Sequence, residues 1–423
     1  MTIVRRFENP TPGITRFLAI AALVMTLIML TAGITQFAQA QNYAVLHSFT
    51  GGNDGDSPYA GLSKDAAGNL YGTTVYGGAG GSGVVFKLAH VGSGWVLNPL
   101  YTFQGTNDGG NPVARVIFGR DGSLYGTTWY GAGGICSGGS GIVFNLRPPP
   151  NAPRTALTPW TETVLYRFTG GTDGCNPGYG DLVFDQAGNI YGTTVNKGAD
   201  YYGVVFELIP SGGGWTEQVL YAFAGGSDGQ YPFAGVTFDQ AGNLDGTTLY
   251  GGLYHLGTVY QLTPSGSGWK EQVLTSFLGL DHTEGELPVG GVILDAAGNL
   301  YGTTAGPGGT VYEMMPNSGG WSLDQLWYFP GESLQGSWGS LIRDRAGNLY
   351  GTTRGQGTYG SGSVFKLTPS DGGWTETDLY DFTGGNDGAA PYGNVIFDAQ
   401  GNLYGTTSAG GAYNAGVVFE ITP

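Results

Sequence analysis

Residues Asp65–Thr74, DAAGNLYGTT, decide the fold, because the same phrase returns until the chain ends. Its core YGTT starts at Tyr71, Tyr125, Tyr191, Asp245 (as DGTT), Tyr301, Tyr350 and Tyr404, at spacings of 54, 66, 54, 56, 49 and 54 residues. A period of that length belongs to propellers or solenoids rather than to strings of independent domains. Within the phrase, Asp-x-x-Gly-Asn is turn chemistry. Asp bonds its own backbone, Gly takes a positive φ without a Cβ clash, and Asn tolerates the same region. Runs such as Val183-Phe184 and Val395-Ile396-Phe397 precede the turn, and Leu-Tyr or Ile-Tyr with Gly-Thr-Thr follows it. The expectation is a tight antiparallel hairpin whose strands are covered on both faces.

Working outward, each unit resolves into four strand-like pieces, a to d. In the first unit these are Ala60–Lys64, Asn69–Thr74, Gly83–Leu88 and Trp95–Phe103; later c pieces read GIVFNL or GVVFEL, and later d pieces WTETVLYRF or WTEQVLYAF. Seven units of four short strands predict an all-β, seven-bladed β-propeller over residues 41–423. The ends of the chain bear on closure. Tyr43–Phe49, YAVLHSF, aligns with d before any complete unit, and the last unit stops after its c piece at Phe419-Glu420-Ile421-Thr422-Pro423. In a ring the N-terminal strand completes the last blade and leaves only short edges. One column supports an axis: Ala60, Ala114, Gly180, Ala234, Gly290, Gly339 and Gly393 are all Gly or Ala. In the next place Arg115 and Asp181 stand on neighbouring blades, either paired across the channel or as two polar residues in a wet pore.

The chain has 81 glycines among 423 residues, with 13% aromatic and 11% charged residues. Glycine without a Gly-X-Y period, set among regular aromatic and aliphatic positions, fits many short strands joined by turns. Residues 1–40 read as a signal peptide: Arg5, Arg6 and Arg16 precede the apolar run Phe17–Leu30, and Ala38-Gln39-Ala40 offers a small-x-small cleavage site. An uncleaved membrane anchor is the alternative. Past this leader, 13 Lys and Arg stand against 31 Asp and Glu, a net charge of −18. So few cations disfavour nucleic acid and anionic membranes, which are held through Lys and Arg. Secretion, to the periplasm or the cell surface, and a monomer are the expectations. The proline-rich stretch Arg147–Pro153 makes the second unit longest and reads as a stiff surface loop.

The repeated DxxGNLYGTT, the GGxxxxGxVFxL after it and the connector FTGGNDGxxPY resemble the GloVer tandem-repeat family of exported bacterial proteins, over nearly all of the chain beyond the leader. The resemblance implies export, and no particular activity. The chain departs from it at Asp245, and at its end, which falls inside a strand where the resemblance implies a surface anchor. The hairpin is also similar to that of NHL and gluconolactonase-like propellers, whose metal-ligand pattern is not visible here.

Propeller topology sends the d–a and b–c connections to one face and the a–b and c–d connections to the other. Cys136, in a b–c connection, and Cys175, in a d–a connection, therefore share a face on adjacent blades, which in an exported chain reads as a disulfide; two free thiols are the alternative. His255, with His282 and Asp281 beside Glu284, lies on facing loops, either a divalent-metal site or ordinary loop residues. Asp54, Asp108, Asp173, Asp228 and Asp387 stand five places after five of the seven d-strand phenylalanines, with His282 and Leu334 at the other two. The aspartates are either turn formers or a ring that coordinates calcium or meets sugar hydroxyls. Tyr76, Tyr130 and Tyr250 on that face are either stacking platforms or inter-blade packing. There is no GxSxG, HExxH or GxxxxGK[ST]. The expected function is a binding or adhesion scaffold for a glycan or protein ligand, with no cofactor required; the alternative is a carbohydrate-active enzyme working in the axial funnel.

Overall fold

The computed structural model describes residues 41–422 except 93, 150–157, 267, 280–284, 308 and 332–334. The predicted signal segment and most of the loop from Arg147 lie outside the described residues. The strands form seven antiparallel sheets in the order a, b, c, d. Blade 1 comprises Ser63–Lys64, Leu70–Thr74, Val84–Val91 and Gly94–Thr102. Blade 7 takes its first three strands from the end of the chain and its fourth, Asn42–Ser48, from the beginning. The ring is closed by the N-terminal strand. Blade 3 has an additional short strand, Cys175–Pro177, paired with its b strand.

Strand a is shorter than the sequence suggests. Ala60–Leu62 run along the axis without ladder partners, and regular pairing begins at Ser63. At the axis the neighbouring backbone crowds this segment. A Cβ on Gly180 would lie 1.5 Å from the amide nitrogen of Gly235, and one on Gly393 would lie 2.3 Å from that of Gly61. The Gly/Ala column is therefore set by contact between blades.

The hairpin phrase is one hydrogen-bonded unit. Asp65 Oδ1 accepts from the amides of Ala67 and Asn69, both at 2.9 Å, while Oδ2 accepts from Asn69 Nδ2 at 2.7 Å and the Tyr71 hydroxyl at 3.0 Å. Burial alone would raise the Asp65 carboxyl, but these bonds outweigh it and hold the group below its usual range. The five residues at the core of strand b, Leu70–Thr74 and their counterparts, are buried in every blade. Its glycine faces the aromatic residue of strand c, as in the pair Gly72 and Phe86, and a Cβ there would meet the ring at 2.6 Å. In blade 4 the tyrosine is replaced by Asp245, fully buried, with Oδ1 bonded to Gln261 Nε2 at 2.9 Å and Oδ2 unpartnered. Burial, with Asp239 nearby and only the Gln261 bond opposing, pushes Asp245 up to about 7. Folding thus takes up a proton here between the ordinary carboxyl range and pH 7, and stability falls as pH rises through that window.

Each blade joins the next through repeated contacts. The last phenylalanine of strand d packs against the aromatic residue of the following c strand, edge-on in six seams and tilted in the Phe329 one: Phe49 on Phe86, Phe103 on Phe144, Phe168 on Phe206, Phe223 on Tyr260, Phe277 on Tyr312, Phe329 on Phe365 and Phe382 on Phe419, at 4.8–5.3 Å between centroids. Burying each such ring stabilises the seam by about 1.5–3 kcal/mol. In six of the seven blades the first threonine of the GTT triplet donates to the carbonyl of the small axial residue in the next blade, as Thr73 does to Ala114 and Thr406 to Ala60.

Candidate functional site

The d–a and b–c connections share a face and are zipped together by short antiparallel bridges, Asp56 with Tyr76, Gly110 with Tyr130, Gln230 with Tyr250 and Ala389 with Ala409. This fixes where the loop side chains project. Tyr76, Tyr130, Tyr201, Tyr250, Tyr254, Tyr359 and Tyr413 all lie in b–c connections and are 40–65% exposed. Ile135 and Leu253 join them, whereas the other large apolar side chains left exposed among the described residues are Val45, Val91 and Val96. The three tyrosines singled out in the sequence are thus on the surface, and four more accompany them.

Inside this rim is a collar that sequence reading missed. The residue before each Gly/Ala axial position is Tyr59, Val113, Tyr179, Phe233, Val289, Trp338 or Tyr392, a large side chain in all seven blades and an aromatic one in five. All of them except Phe233, which stacks on Tyr179, line the mouth of an axial cavity of about 310 Å³, whose lining also includes Arg115, Asp181, Ser340 and Asn394. Tyr59 stacks on Tyr392 at 4.6 Å, Trp338 meets Tyr392 edge-on at 5.2 Å, and Tyr179 stacks on Phe233 at 5.4 Å. The signal was available: a large residue directly before every invariantly small axial residue.

Electrostatics at the mouth are simple. Arg115 donates to Asp181 Oδ2 through Nε at 2.9 Å and Nη2 at 2.5 Å, joining blades 2 and 3 across the channel. The guanidinium of Arg354 lies 5.1 Å from the Tyr392 ring and 5.6 Å from that of Trp338. Burial raises the Tyr59, Tyr179 and Tyr392 phenols above their ordinary value, so all three keep their protons at neutral pH, although the charge of Arg354 and its hydrogen bond to the Tyr392 oxygen work the other way at Tyr392.

The recurrent aspartates serve their own loops. Asp173 Oδ2 accepts from the Thr169 amide at 2.7 Å and the Tyr166 hydroxyl at 3.1 Å, and its Oδ1 accepts from the Thr169 hydroxyl at 2.6 Å. Asp108 and Asp387 make the same amide and tyrosine bonds, Asp228 does so from the Ala224 amide and Tyr221, and Asp54 has His47 in the place of tyrosine. The arrangement builds sharp loops from acceptors already occupied by protein donors. Beside three of them stand glutamates that sequence reading also missed. Burial first, and then Asp108, Asp173 or Asp228, pushes Glu162, Glu217 and Glu271 up to about 7.

Cys136 and Cys175 form a disulfide. His255 sits in its b–c loop at φ 62°, while His282, Asp281 and Glu284 lie outside the described residues. Among the described residues no three His, Cys, Asp or Glu side chains converge as a metal site, and no helix is long and apolar enough to cross a membrane.

The chain matches the Gloeobacter/Verrucomicrobia repeat over residues 32–237, 139–309 and 305–423. It belongs to that family. No curated protein matches it. Among solved structures, this member of the Gloeobacter/Verrucomicrobia repeat family is similar to a family PL25 ulvan lyase, with a TM-score of 0.52, 13% identity, and coverage of 87% of this chain and 94% of the lyase. It is also similar to a 6-phosphogluconolactonase-like protein from Bacteroides uniformis, with a TM-score of 0.48, 15% identity, and coverage of 82% and 88%. At such identities the likeness is one of propeller fold.

Proposed function

We propose that this repeat-family propeller is an exported carbohydrate-binding protein whose ligand lies across the d–a/b–c face, over the axial mouth. One observation carries the reading: the exposed tyrosines and the half-buried aromatic collar share a single face. Flat aromatic faces held on a rigid scaffold suit the apolar C–H faces of sugar rings, while phenols and loop backbone meet the hydroxyls. Few cations, and a leader of signal-peptide type together with a disulfide, fit a partner outside the cytoplasm.

The alternative, a carbohydrate-active enzyme in the axial cavity, has less support. A paired-carboxylate hydrolase needs two carboxyl groups flanking the scissile bond. The cavity lining contributes one, Asp181, and Arg115 holds it. The phenols at the mouth are shifted away from the range in which they would accept a proton.

A glycan array probed with the secreted protein tests the reading. Retention of at least one polysaccharide, weakened about tenfold or more by Tyr59→Ala with Tyr392→Ala, is the expected outcome. Reducing ends or unsaturated products appearing on incubation would replace it with the enzyme. A protein ligand alone, with every glycan ignored, would remove carbohydrate from the reading.

A further inference from the structure

We propose that the axial mouth selects an acidic sugar residue, one bearing a carboxylate or a sulfate, and that Arg354 is the selecting group; this rests on the carbohydrate reading above. Arg354 directly follows YGTT in blade 6, and the other six blades have Val75, Trp129, Val195, Leu249, Ala305 and Ser408 at that place. It is the one charged residue of the column, in a chain whose cations are outnumbered more than twofold past the leader. Retaining a guanidinium there runs against the general charge of the surface.

The setting suits anion recognition. Arg354 is anchored through its amide, which donates to the Gly336 carbonyl at 3.1 Å. Its guanidinium lies against the Trp338 and Tyr392 rings, within the range of a cation–π contact. A planar guanidinium leaning on aromatic rings is limited in the ways it can turn, and its N–H fork matches the two oxygens of a carboxylate or sulfate. The Tyr59 and Tyr392 phenols also feel its charge, the Tyr392 oxygen accepts a hydrogen bond from it, and both phenols keep a proton to donate. The acidic groups nearby are Asp56, whose Oδ1 accepts from the Ser57 hydroxyl, and Asp181, neutralised by Arg115. The arrangement therefore offers a ring-stacking surface, two neutral donors and one cation within a few ångströms of each other. A sugar ring carrying one anionic substituent matches all three.

The test is affinity electrophoresis of the whole protein, and of its Arg354→Gln and Arg354→Lys variants, through gels containing polygalacturonate, dextran sulfate or unsubstituted dextran. The native protein is expected to be retarded most by an acidic polymer, and the stronger of the two identifies carboxylate or sulfate as the group read. Arg354→Gln should weaken that binding about 10- to 100-fold, the effect of removing a charged hydrogen-bond partner, and so abolish the preference for the acidic polymer over dextran. Arg354→Lys, which keeps the charge and loses the fork, should fall between. Equal retardation by acidic polymer and dextran, or acidic binding that survives Arg354→Gln, would overturn the inference and leave the carbohydrate reading intact. Retardation by none of the three polymers would count against both. Thermal melting of each variant beside the native protein shows whether a loss reflects the site or the fold.

Discussion

Two seams of the ring are held in different ways. Between blades 7 and 1 the chain meets residues more than 340 positions away, yet the seam uses only the contacts repeated elsewhere. Phe49 packs on Phe86, and Thr406 donates to the Ala60 carbonyl at 2.7 Å. Between blades 2 and 3 the chain is continuous, and there the repeat is broken. Thr127, which by position should donate to Gly180, is buried with its hydroxyl unpartnered. The same seam holds the Cys136–Cys175 disulfide, the Arg115–Asp181 pair and the additional strand of blade 3. The difference teaches that closure needs no special device where the repeated contacts are complete. Reinforcement sits where one of them is missing.

The strongest way to break this comparison is at the closing seam. If it is one of seven equivalents, Phe49→Ala should cost about 3–5 kcal/mol, and Phe223→Ala the same within error, because both remove a fully buried ring packed on the next c strand. Urea denaturation of the two variants measures it. A much larger loss for Phe49→Ala, or a lower m-value for that variant alone, would mean that the ring springs open there.

That equivalence was legible in the sequence, since YAVLHSF aligns with every d strand and the last unit lacks one. The hairpin phrase, the covered b strands, the disulfide and the shared loop face were legible for the same reason: each depends on local turn chemistry or on a period. What stayed hidden depends on contacts between blades. Whether Arg115 met Asp181 or solvent could not be read from a column of residues, because the distance across the axis is a property of the closed ring. The recurrent aspartates read in the sequence as turn formers or as ligands, and a column of residues does not show that both oxygens of Asp173 accept from donors of its own loop and strand. The collar was missed because its members vary between Tyr, Phe, Trp and Val, and a size pattern is harder to see than an identity. Asp245 stood out as a departure, but its shift follows from burial beside Asp239, which only the fold supplies.

The next effect in size belongs to the reinforced seam. Replacing Cys136 and Cys175 by serine together should lower stability by about 2–4 kcal/mol, from release of the constraint on the unfolded chain across a separation of 39 residues. The melting temperature of the double variant, compared with that of the native protein in and out of reductant, reads this. A double variant as stable as the native protein would show that the other contacts of the seam already make good the missing threonine bond.

The smallest effect is the most discriminating, because it sets the two kinds of seam against each other with one chemical change. Thr193 is buried and donates to the Ala234 carbonyl at 2.8 Å, so Thr193→Val removes a hydrogen bond and leaves that acceptor without its hydroxyl partner. The expected cost is about 1 kcal/mol or somewhat more. Thr127 occupies the same place one blade earlier, and its hydroxyl has been taken from water without a partner in return. Thr127→Val keeps the shape and removes only the unsatisfied group, so it should be neutral or mildly stabilising. Parallel urea titrations of the two variants decide the matter through the sign of their difference. If Thr127→Val costs as much as Thr193→Val, the hydroxyl has a partner in solution, the seam between blades 2 and 3 is not deficient, and the disulfide there needs another explanation.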